Sequence, residues 1–262
     1  MTYALYFLIS LIATTLGAVS GMGGGVIIKP ALDLIGQYDA AAIGVLSSIT
    51  VLAMALVAVR RQAAAKANLR AKIAVPLALG AAGGGIAGER LFAAIAAQSA
   101  NGRVVVMQNA CLALLIVCIF VYMRLRGRVK SLELHGILPA ALIGLLLGLL
   151  SSFLSIGGGP MNVALILFAF SFDLKTATLC SLTVILFSQA AKLAMVFIDG
   201  GFARYDLTML PVMVASAVLG GLIGSALNKK MGERGVQGVF NGVQAVVLVC
   251  CGVNIVRAWG GG

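Results

Sequence analysis

The sequence predicts an all-α polytopic membrane protein that consists of two repeats, and three observations support this fold class. Of the 262 residues, 61% are hydrophobic and 10% are charged, whereas about one quarter of the residues of a soluble domain are charged. Apolar runs of about 20 residues, the length that spans a bilayer, recur along the whole chain. The same order of runs, one interrupted by glycines and then three uninterrupted, occurs twice.

Each half contains five apolar segments, and we expect a helix in each of them. In the first half they cover residues 3–20, 26–36, 40–59, 73–97 and 103–123. In the second half they cover residues 136–156, 160–172, 175–198, 206–227 and 235–258. A basic stretch at residues 124–130 separates the halves, so we predict membrane repeat 1 in residues 1–127 and membrane repeat 2 in residues 128–262.

Short sequence matches recur at equivalent places in the two halves. Residues 16–20 (Leu-Gly-Ala-Val-Ser) correspond to residues 147–151 (Leu-Gly-Leu-Leu-Ser), and each stretch precedes a glycine triplet. Residues 48–51 (Ser-Ile-Thr-Val) correspond to residues 181–184 (Ser-Leu-Thr-Val). Matches that keep the same order indicate an internal repeat.

The orientation of the repeats depends on the two segments that glycines interrupt. Four full crossings per half would make the repeats parallel, whereas a re-entrant hairpin followed by three transmembrane helices would make them inverted. Of 17 basic residues outside the spans, the hairpin arrangement places 13 on one side and 4 on the other, against 11 and 6 for plain crossings. Because basic loops accumulate on the cytoplasmic side, we expect inverted repeats with both ends outside. A full crossing by residues 3–20 with a short return segment stays open.

The glycine triplets predict where a substrate binds. A half-helix begins after each triplet, and its free N–H groups and the positive end of its dipole point into the protein, which suits an anion. Broken helices at matching positions of two repeats are typical of transporter sites. The substrate-binding residues predicted on these grounds are Gly23, Gly24, Gly25, Gly157, Gly158, Gly159 and Asn162. The alternative is that glycines only permit close helix packing, which we expect for the pairs at 84–85 and 220–221.

Several polar side chains inside apolar segments complete the predicted site. Intramembrane charges are costly and usually functional, so we include two lysines, although a lysine can also extend to the membrane surface. Hydroxyl clusters at matching positions could bind an anion or hold helices together. The residues added are Lys29, Ser48, Thr50, Ser181, Thr183, Gln189 and Lys192. We expect Glu89 to pair with its neighbour Arg90, and we find no carboxylate deep in a span that could couple transport to protons.

Composition and motifs argue against an enzyme. His135 is the only histidine, which excludes histidine pairs and HExxH zinc sites. All five cysteines lie in apolar spans without a CxxC motif, so no disulfide framework, metal site or cofactor is indicated. The net charge of +11 reflects basic loops rather than nucleic-acid binding. The expected partners are a small anion and the lipid bilayer of the cytoplasmic membrane, and a homodimer is left open.

Residues 148–160, Gly-Leu-Leu-Ser-Ser-Phe-Leu-Ser-Ile-Gly-Gly-Gly-Pro, resemble the second-half signature of the sulfite exporter TauE/SafE family, G-x-x-S-G-x-x-G-[IV]-G-G-G-x-x-x-x-P. Residues 17–30 resemble its first-half counterpart but lack about three residues before the triplet. In the second half, Ser152 and Ser155 stand where the family usually has glycine. The resemblance implies export of sulfite, a sulfonate such as sulfoacetate, or a related organosulfur anion. A channel-like anion pore, a carboxylate carrier and a non-transporting membrane scaffold are the alternatives.

Overall fold

The computed structural model describes residues 2–63, 71–125 and 130–260, and these ranges are almost entirely helical. The helices of the first half are α1 (Thr2–Ser20), α2 (Gly25–Ile35), α3 (Ala40–Ala63), α4 (Ala71–Gln98) and α5 (Asn101–Leu125). Those of the second half are α6 (Ile137–Phe153), α7 (Gly159–Phe170), α8 (Leu174–Ile198), α9 (Leu210–Lys230) and α10 (Glu233–Gly260), with a 3₁₀ turn at Phe202–Arg204.

Every apolar segment predicted from the sequence forms a helix. Helix α3 continues to Ala63 rather than ending at residue 59, and two segments are shortened for local reasons. Helix α6 ends at Phe153 rather than at residue 156, because Ser155 and Gly157 adopt left-handed backbone conformations. Helix α9 begins at Leu210 rather than at residue 206, because the Asp206 carboxylate accepts hydrogen bonds from the backbone N–H and the hydroxyl of Thr208 and forms a turn. The predicted boundary between residues 127 and 128 lies outside the described residues.

The chain is a multi-pass membrane protein. In the described part, six helices are long and apolar enough to cross a membrane, namely α1, α3, α5, α8, α9 and α10. Large apolar side chains cover the outer faces of the helices, among them Leu114 and Leu138, which are 66% and 69% exposed. Helices α2, α6 and α7 have 11, 17 and 12 residues, which is short for a full crossing.

The most extensive helix contacts join the first half to the second half. Helix α4 packs along α6, and its counterpart α9 packs along α1. Helices α3 and α8 contact each other at the centre, and so do α5 and α10. The main contacts between the halves thus recur when the halves are exchanged, since α4 with α8 corresponds to α3 with α9, and α2 with α10 corresponds to α5 with α7. The contact of α1 with α10 is an exception, because α5 and α6 do not contact each other to a similar extent in the described residues.

Glycines let these helix pairs approach closely. Gly80, Gly84 and Gly88 follow each other at one-turn spacing on α4, and a Cβ atom at any of them would collide with a backbone carbonyl of α6. Gly220 and Gly224 on α9 face α1 in the same way. The packing role predicted for the glycine pairs of the unbroken helices is thus confirmed, and it corresponds to the small-xxx-small contacts of membrane helices.

Adjacent glycines on α4 provide a matched test of this packing. A Cβ atom at Gly84 would collide with the Leu145 carbonyl, whereas at Gly83 it would lie 3.8 Å from the Leu145 Cδ1 atom. We expect Gly84→Ala to destabilise the protein by about 1–3 kcal/mol through overpacking. Gly83→Ala should be neutral or stabilise it by up to ~1 kcal/mol, since alanine favours helix. Thermal unfolding in detergent measures both, and equal melting temperatures would contradict the proposed contact.

Candidate functional site

The two glycine-rich breaks meet inside the protein. We call residues 21–25 the first tip and residues 154–159 the second tip. A Cβ atom at Gly23 would lie 2.7 Å from the Gly157 carbonyl oxygen, and one at Gly25 would collide with the Ile156 carbonyl. All three glycines of each triplet are buried. Only glycine at positions 23 and 25 allows the two backbones to come this close.

The half-helices α2 and α7 begin at these tips without a side-chain cap. Their N-cap residues are Gly24 and Gly158, and neither helix start receives a side-chain hydrogen bond from its cap. The last glycine of each triplet, Gly25 or Gly159, is the first helical residue. The first turn of a helix exposes N–H groups that its own backbone cannot satisfy. Two such positive helix ends therefore converge on one buried place.

The C-terminal end of α1 at the first tip is satisfied by side chains from the other half. The Asn228 amide of α9 donates to the Val19 carbonyl at 2.6 Å, and the Ser181 hydroxyl of α8 donates to the Gly21 carbonyl at 2.5 Å. Carbonyl groups freed at membrane depth need such donors. Ser181 therefore holds the first tip in place. This contact agrees with the alternative that the hydroxyl clusters hold helices together.

Helix α8 runs along both tips. Ile185 would contact a Cβ atom at either Gly23 or Gly158, at 3.1 and 2.7 Å. One turn further, the Gln189 amide donates to the Ser151 hydroxyl at 3.3 Å, and its carbonyl oxygen has no hydrogen-bond partner among the described residues. Ile185 and Gln189 therefore lie one turn apart on the face of α8 that is turned to the tips. The sequence does not reveal which face this is, because most of the segment is apolar.

Helix α3 covers the tips from another side. A Cβ atom at Gly25 would lie 2.9 Å from the Ser47 hydroxyl, and one at Gly157 would lie 2.7 Å from a Val51 methyl group. The hydroxyls of Ser47 and Ser48 are buried and have no hydrogen-bond partner within the described ranges. These two serines are free to bind a ligand. By contrast, Thr50 and Thr183 donate to carbonyls one turn back in their own helices.

Asn162 is the most unusual polar residue at the second tip. It is 0% exposed, and within the described part of the chain neither its amide nitrogen nor its carbonyl oxygen has a hydrogen-bond partner. A Cβ atom at Gly158 would collide with this amide, so the side chain lies against the start of its own helix. Because buried polar groups are nearly always paired, this amide is a candidate for binding a ligand.

Lys192 is buried beside the second tip. Its ammonium lies 2.9 Å from the Ser155 hydroxyl and 3.4 Å from the Ser152 carbonyl. It also lies 3.3 Å from a carboxylate oxygen of Glu89, and the two side chains are 2% and 9% exposed. Ser155, at a position where the resembled signature has glycine, adopts φ of +56°. The lysine does not extend to the membrane surface.

The expected pairing of Glu89 with Arg90 is wrong. Arg90 instead lies 3.4 Å from Asp199 at the protein surface, where the two side chains are 60% and 39% exposed. Consecutive residues of a helix point in different directions and do not face each other. Glu89 therefore turns inward to Lys192 while Arg90 turns outward.

The expectation that no carboxylate lies deep in a span is also wrong. Lys29 and Asp33 form an ion pair at 3.0 Å whose side chains are 2% and 0% exposed. The Asn109 amide of α5 donates to the same carboxylate at 3.0 Å, and the Asn254 amide of α10 donates to Asn109 at 3.2 Å. Asp33 stays inside because α2 continues to Ile35 and is covered by α10.

A family model described as "Sulfite exporter TauE/SafE" matches residues 6–254. The chain belongs to the sulfite exporter TauE/SafE family. This is a family of membrane transporters, which is consistent with the prediction that the chain is not an enzyme. The match runs from within α1 to within α10 and covers both glycine tips.

Two curated relatives are similar to part of the chain. A probable membrane transporter protein MamO of Magnetospirillum gryphiswaldense is 27% identical over 120 residues, which are 44% of this chain and 19% of that protein. A probable membrane transporter protein MamO of Paramagnetospirillum magneticum is 28% identical over 130 residues, which are 47% of this chain and 20% of that protein. The match thus spans about a fifth of the length of these relatives. No solved structure matches the chain significantly.

The ion pair in α2 allows a test of its role in folding. Asp33→Ala should destabilise the protein by about 3–5 kcal/mol, because it leaves the Lys29 ammonium buried without a counter-charge. The double variant Lys29→Met/Asp33→Leu removes both charges and should recover most of this loss. Thermal unfolding in detergent compares the variants. A double variant no more stable than Asp33→Ala would show that the ion pair is not what the substitution disrupts.

Proposed function

We propose that this protein is a secondary transporter of a small anion that binds between the two glycine tips. The observation that carries the proposal is the convergence of two uncapped helix N-termini on a buried place that also holds the unpaired Asn162 amide. Helix N-termini bind anions through their N–H groups and their dipoles. The Lys192 ammonium beside the second tip adds a positive charge.

The proposed site residues differ in how directly the geometry supports them. Support is strongest for the glycines of both triplets, for Asn162 and Lys192, and for the free oxygen of Gln189. Of the two unpaired serines of α3, Ser47 is the one whose hydroxyl lies against a tip glycine, so Ser48 has weaker support. The hydroxyls of Thr50, Thr183 and Ser181 already donate to carbonyls, so they would contribute mainly as acceptors or by shape. Lys29 would act from a distance, since its charge is matched by Asp33.

We propose sulfite, or a sulfonate such as sulfoacetate, as the transported anion, in the direction of export. The family description supports sulfite. A sulfur oxyanion has three oxygens that accept hydrogen bonds, which suits two sets of backbone N–H groups and an amide. Ser152 and Ser155 stand where the resembled signature has glycine, and their side chains take up space at the second tip. We therefore expect the preferred anion to depend on these two serines.

We also propose that the halves are inverted repeats with re-entrant first segments in the cytoplasmic membrane. The exchange of halves in most helix contacts supports a two-fold relation between the halves, and the asymmetry of basic residues supports the inverted form of it. Transport would then proceed by movement of one bundle against the other around the tips. The homodimer that the sequence leaves open has no support in the family match and is not part of this proposal.

The buried tips favour a carrier over the two main alternatives. All six glycines of the triplets are closed off from solvent, as in an occluded carrier, whereas a channel-like pore would need a continuous path. A scaffold without transport activity gives no reason for the unpaired amide and hydroxyls around the tips. A carboxylate carrier would use the same donors, so the choice of anion is left to the binding experiment.

Asn162→Leu separates a binding role from a structural role. Because the Asn162 amide has no partner within the described part, the substitution should leave the anion-free melting temperature unchanged or raise it. It should weaken anion binding about tenfold or more, which corresponds to about 1.4 kcal/mol. Thermal shifts with sulfite, sulfoacetate, simple carboxylates and phosphate measure binding, since a ligand at 100 times its Kd stabilises by about 2.7 kcal/mol.

Ser216→Ala is the matched control for this experiment. Ser216 is buried on α9, and its hydroxyl donates to the Met213 carbonyl of the same helix, so anion binding should not change. Uptake of labelled sulfite into proteoliposomes then separates a transporter from a scaffold. Unaltered anion binding by Asn162→Leu would remove this residue from the site, and absence of flux in the wild-type protein would contradict transport.

The inverted arrangement predicts the sides of two exposed positions. In a cysteine-free background, Lys130→Cys and Ala203→Cys place one thiol before α6 and one after α8. Re-entrant segments put these positions on opposite sides of the membrane, whereas eight plain crossings put them on the same side. We expect an impermeant thiol reagent to label Ala203→Cys from outside, and Lys130→Cys only after permeabilisation. Labelling of both from one side would rule out the inverted arrangement.

A further inference from the structure

We propose that Glu89 is the residue that couples anion transport to a proton, by taking up one proton when the anion binds beside Lys192. This inference rests on the proposed function and adds the coupling ion to it. It concerns the ion pair between α4 of the first half and α8 of the second half, which lies next to the second tip.

The first argument is charge balance in a buried place. Glu89 and Lys192 lie 3.3 Å apart, with side chains that are 9% and 2% exposed, and together they are neutral. The Lys192 ammonium also reaches the second tip through Ser155, at 2.9 Å. An anion that binds there would leave one net negative charge in a medium of low polarity, which is unfavourable. Protonation of the Glu89 carboxylate restores neutrality and frees the ammonium for the anion.

The second argument is the hydrogen bonding of the two buried carboxylates. Asp33 accepts from Lys29 at 3.0 and 3.3 Å and from the Asn109 amide at 3.0 Å. The Glu89 carboxylate instead has the Lys192 ammonium as its partner, 3.3 Å from the Oε2 atom. Asp33 is thus held by donors from two side chains, whereas Glu89 depends on the ammonium that also contacts the second tip. An anion that takes this ammonium would leave the Glu89 charge buried without its partner, which is unfavourable.

The third argument is that Glu89 lies near the protein surface. Glu89 precedes Arg90, which pairs with Asp199 at 3.4 Å where both side chains contact solvent. From the segment after α8, Tyr205 also lies near Glu89: burial, and after it the Glu89 carboxylate, raise the pKa of the Tyr205 hydroxyl. Helix α6, which packs along α4, has no ionisable side chain between Ile137 and Phe153. Glu89 is therefore one residue from an exposed ion pair and close to Tyr205, which makes this side of α4 and α8 the one from which we propose that the proton enters.

The groups around Glu89 leave Lys192 as its main counter-charge. Arg90 is turned to Asp199, and Lys29 is paired with Asp33. By linkage, an anion that brings one proton to its site binds more tightly as the pH falls, by up to about tenfold per pH unit. Co-transport of one proton would also make movement of a monovalent anion electrically neutral.

Calorimetry on the purified protein tests this coupling directly. The probes are methanesulfonate and sulfoacetate, because their own charges do not change near neutral pH, whereas that of sulfite does. Heats of binding in two buffers with different ionisation enthalpies give the number of protons taken up per anion. We expect about one for the wild-type protein, with affinity that rises as the pH falls.

Two matched variants locate the proton. Glu89→Gln keeps the shape of the side chain but cannot titrate, so it should bind the anion without proton uptake. Glu233→Gln makes the same chemical change at an exposed carboxylate in the first turn of α10, and it should take up a proton as the wild type does. In proteoliposomes, an imposed membrane potential should drive methanesulfonate in Glu89→Gln and have little effect in the wild type.

The outcomes separate the two proposals. If the wild-type protein binds a sulfonate without taking up a proton, or if Glu89→Gln still takes one up, Glu89 is not the coupling residue and the anion site stands. If the wild-type protein binds neither the sulfonates nor sulfite, the proposed function fails and this inference fails with it. Should Glu89→Gln not fold, the wild-type proton count decides alone.

Discussion

The backbone at the two glycine tips must find its hydrogen bonds inside the protein, because lipid offers none, and the rest of the structure depends on this constraint. Side chains of α8 and α9 donate to the carbonyls that α1 leaves free. At the second tip, the Lys192 ammonium donates to the Ser152 carbonyl. The carbonyl ends are thus satisfied by protein, whereas the helix starts at Gly25 and Gly159 receive no side-chain cap. This asymmetry is the physical basis for an anion site.

Buried charges, like the backbone groups at the tips, find their partners inside the protein. Lys29 and Lys192 each have one carboxylate at ion-pair distance, so each of these two buried pairs carries no net charge. The two pairs differ in their surroundings, since three hydrogen bonds hold Asp33 while Glu89 lies near the surface pair of Arg90 and Asp199. One pair is therefore suited to joining α2, α5 and α10, and the other to a change of protonation beside the tips.

The sequence predicted the helices and the breaks well, but not the partners of the charged residues. Apolar segments and glycine triplets are local patterns, so α2 and α7 could be located to within one or two residues. Lys29 and Lys192 were recognised because a charge in an apolar run is costly. Glu89 was assigned to the wrong partner, since its contact with Lys192 joins residues that are about one hundred positions apart.

The sequence by itself determined the membrane environment, the duplicated order of helices and the two places where the backbone breaks, because each follows from composition and from glycine. Only the tertiary structure decided that the two breaks touch each other and that α8 runs along both. It also decided that Asn162 and the hydroxyls of Ser47 and Ser48 have no partner in the described part, while Thr50 and Thr183 do. These facts depend on which helix faces come together, and a helix face in an apolar segment of uniform composition leaves little trace in the sequence.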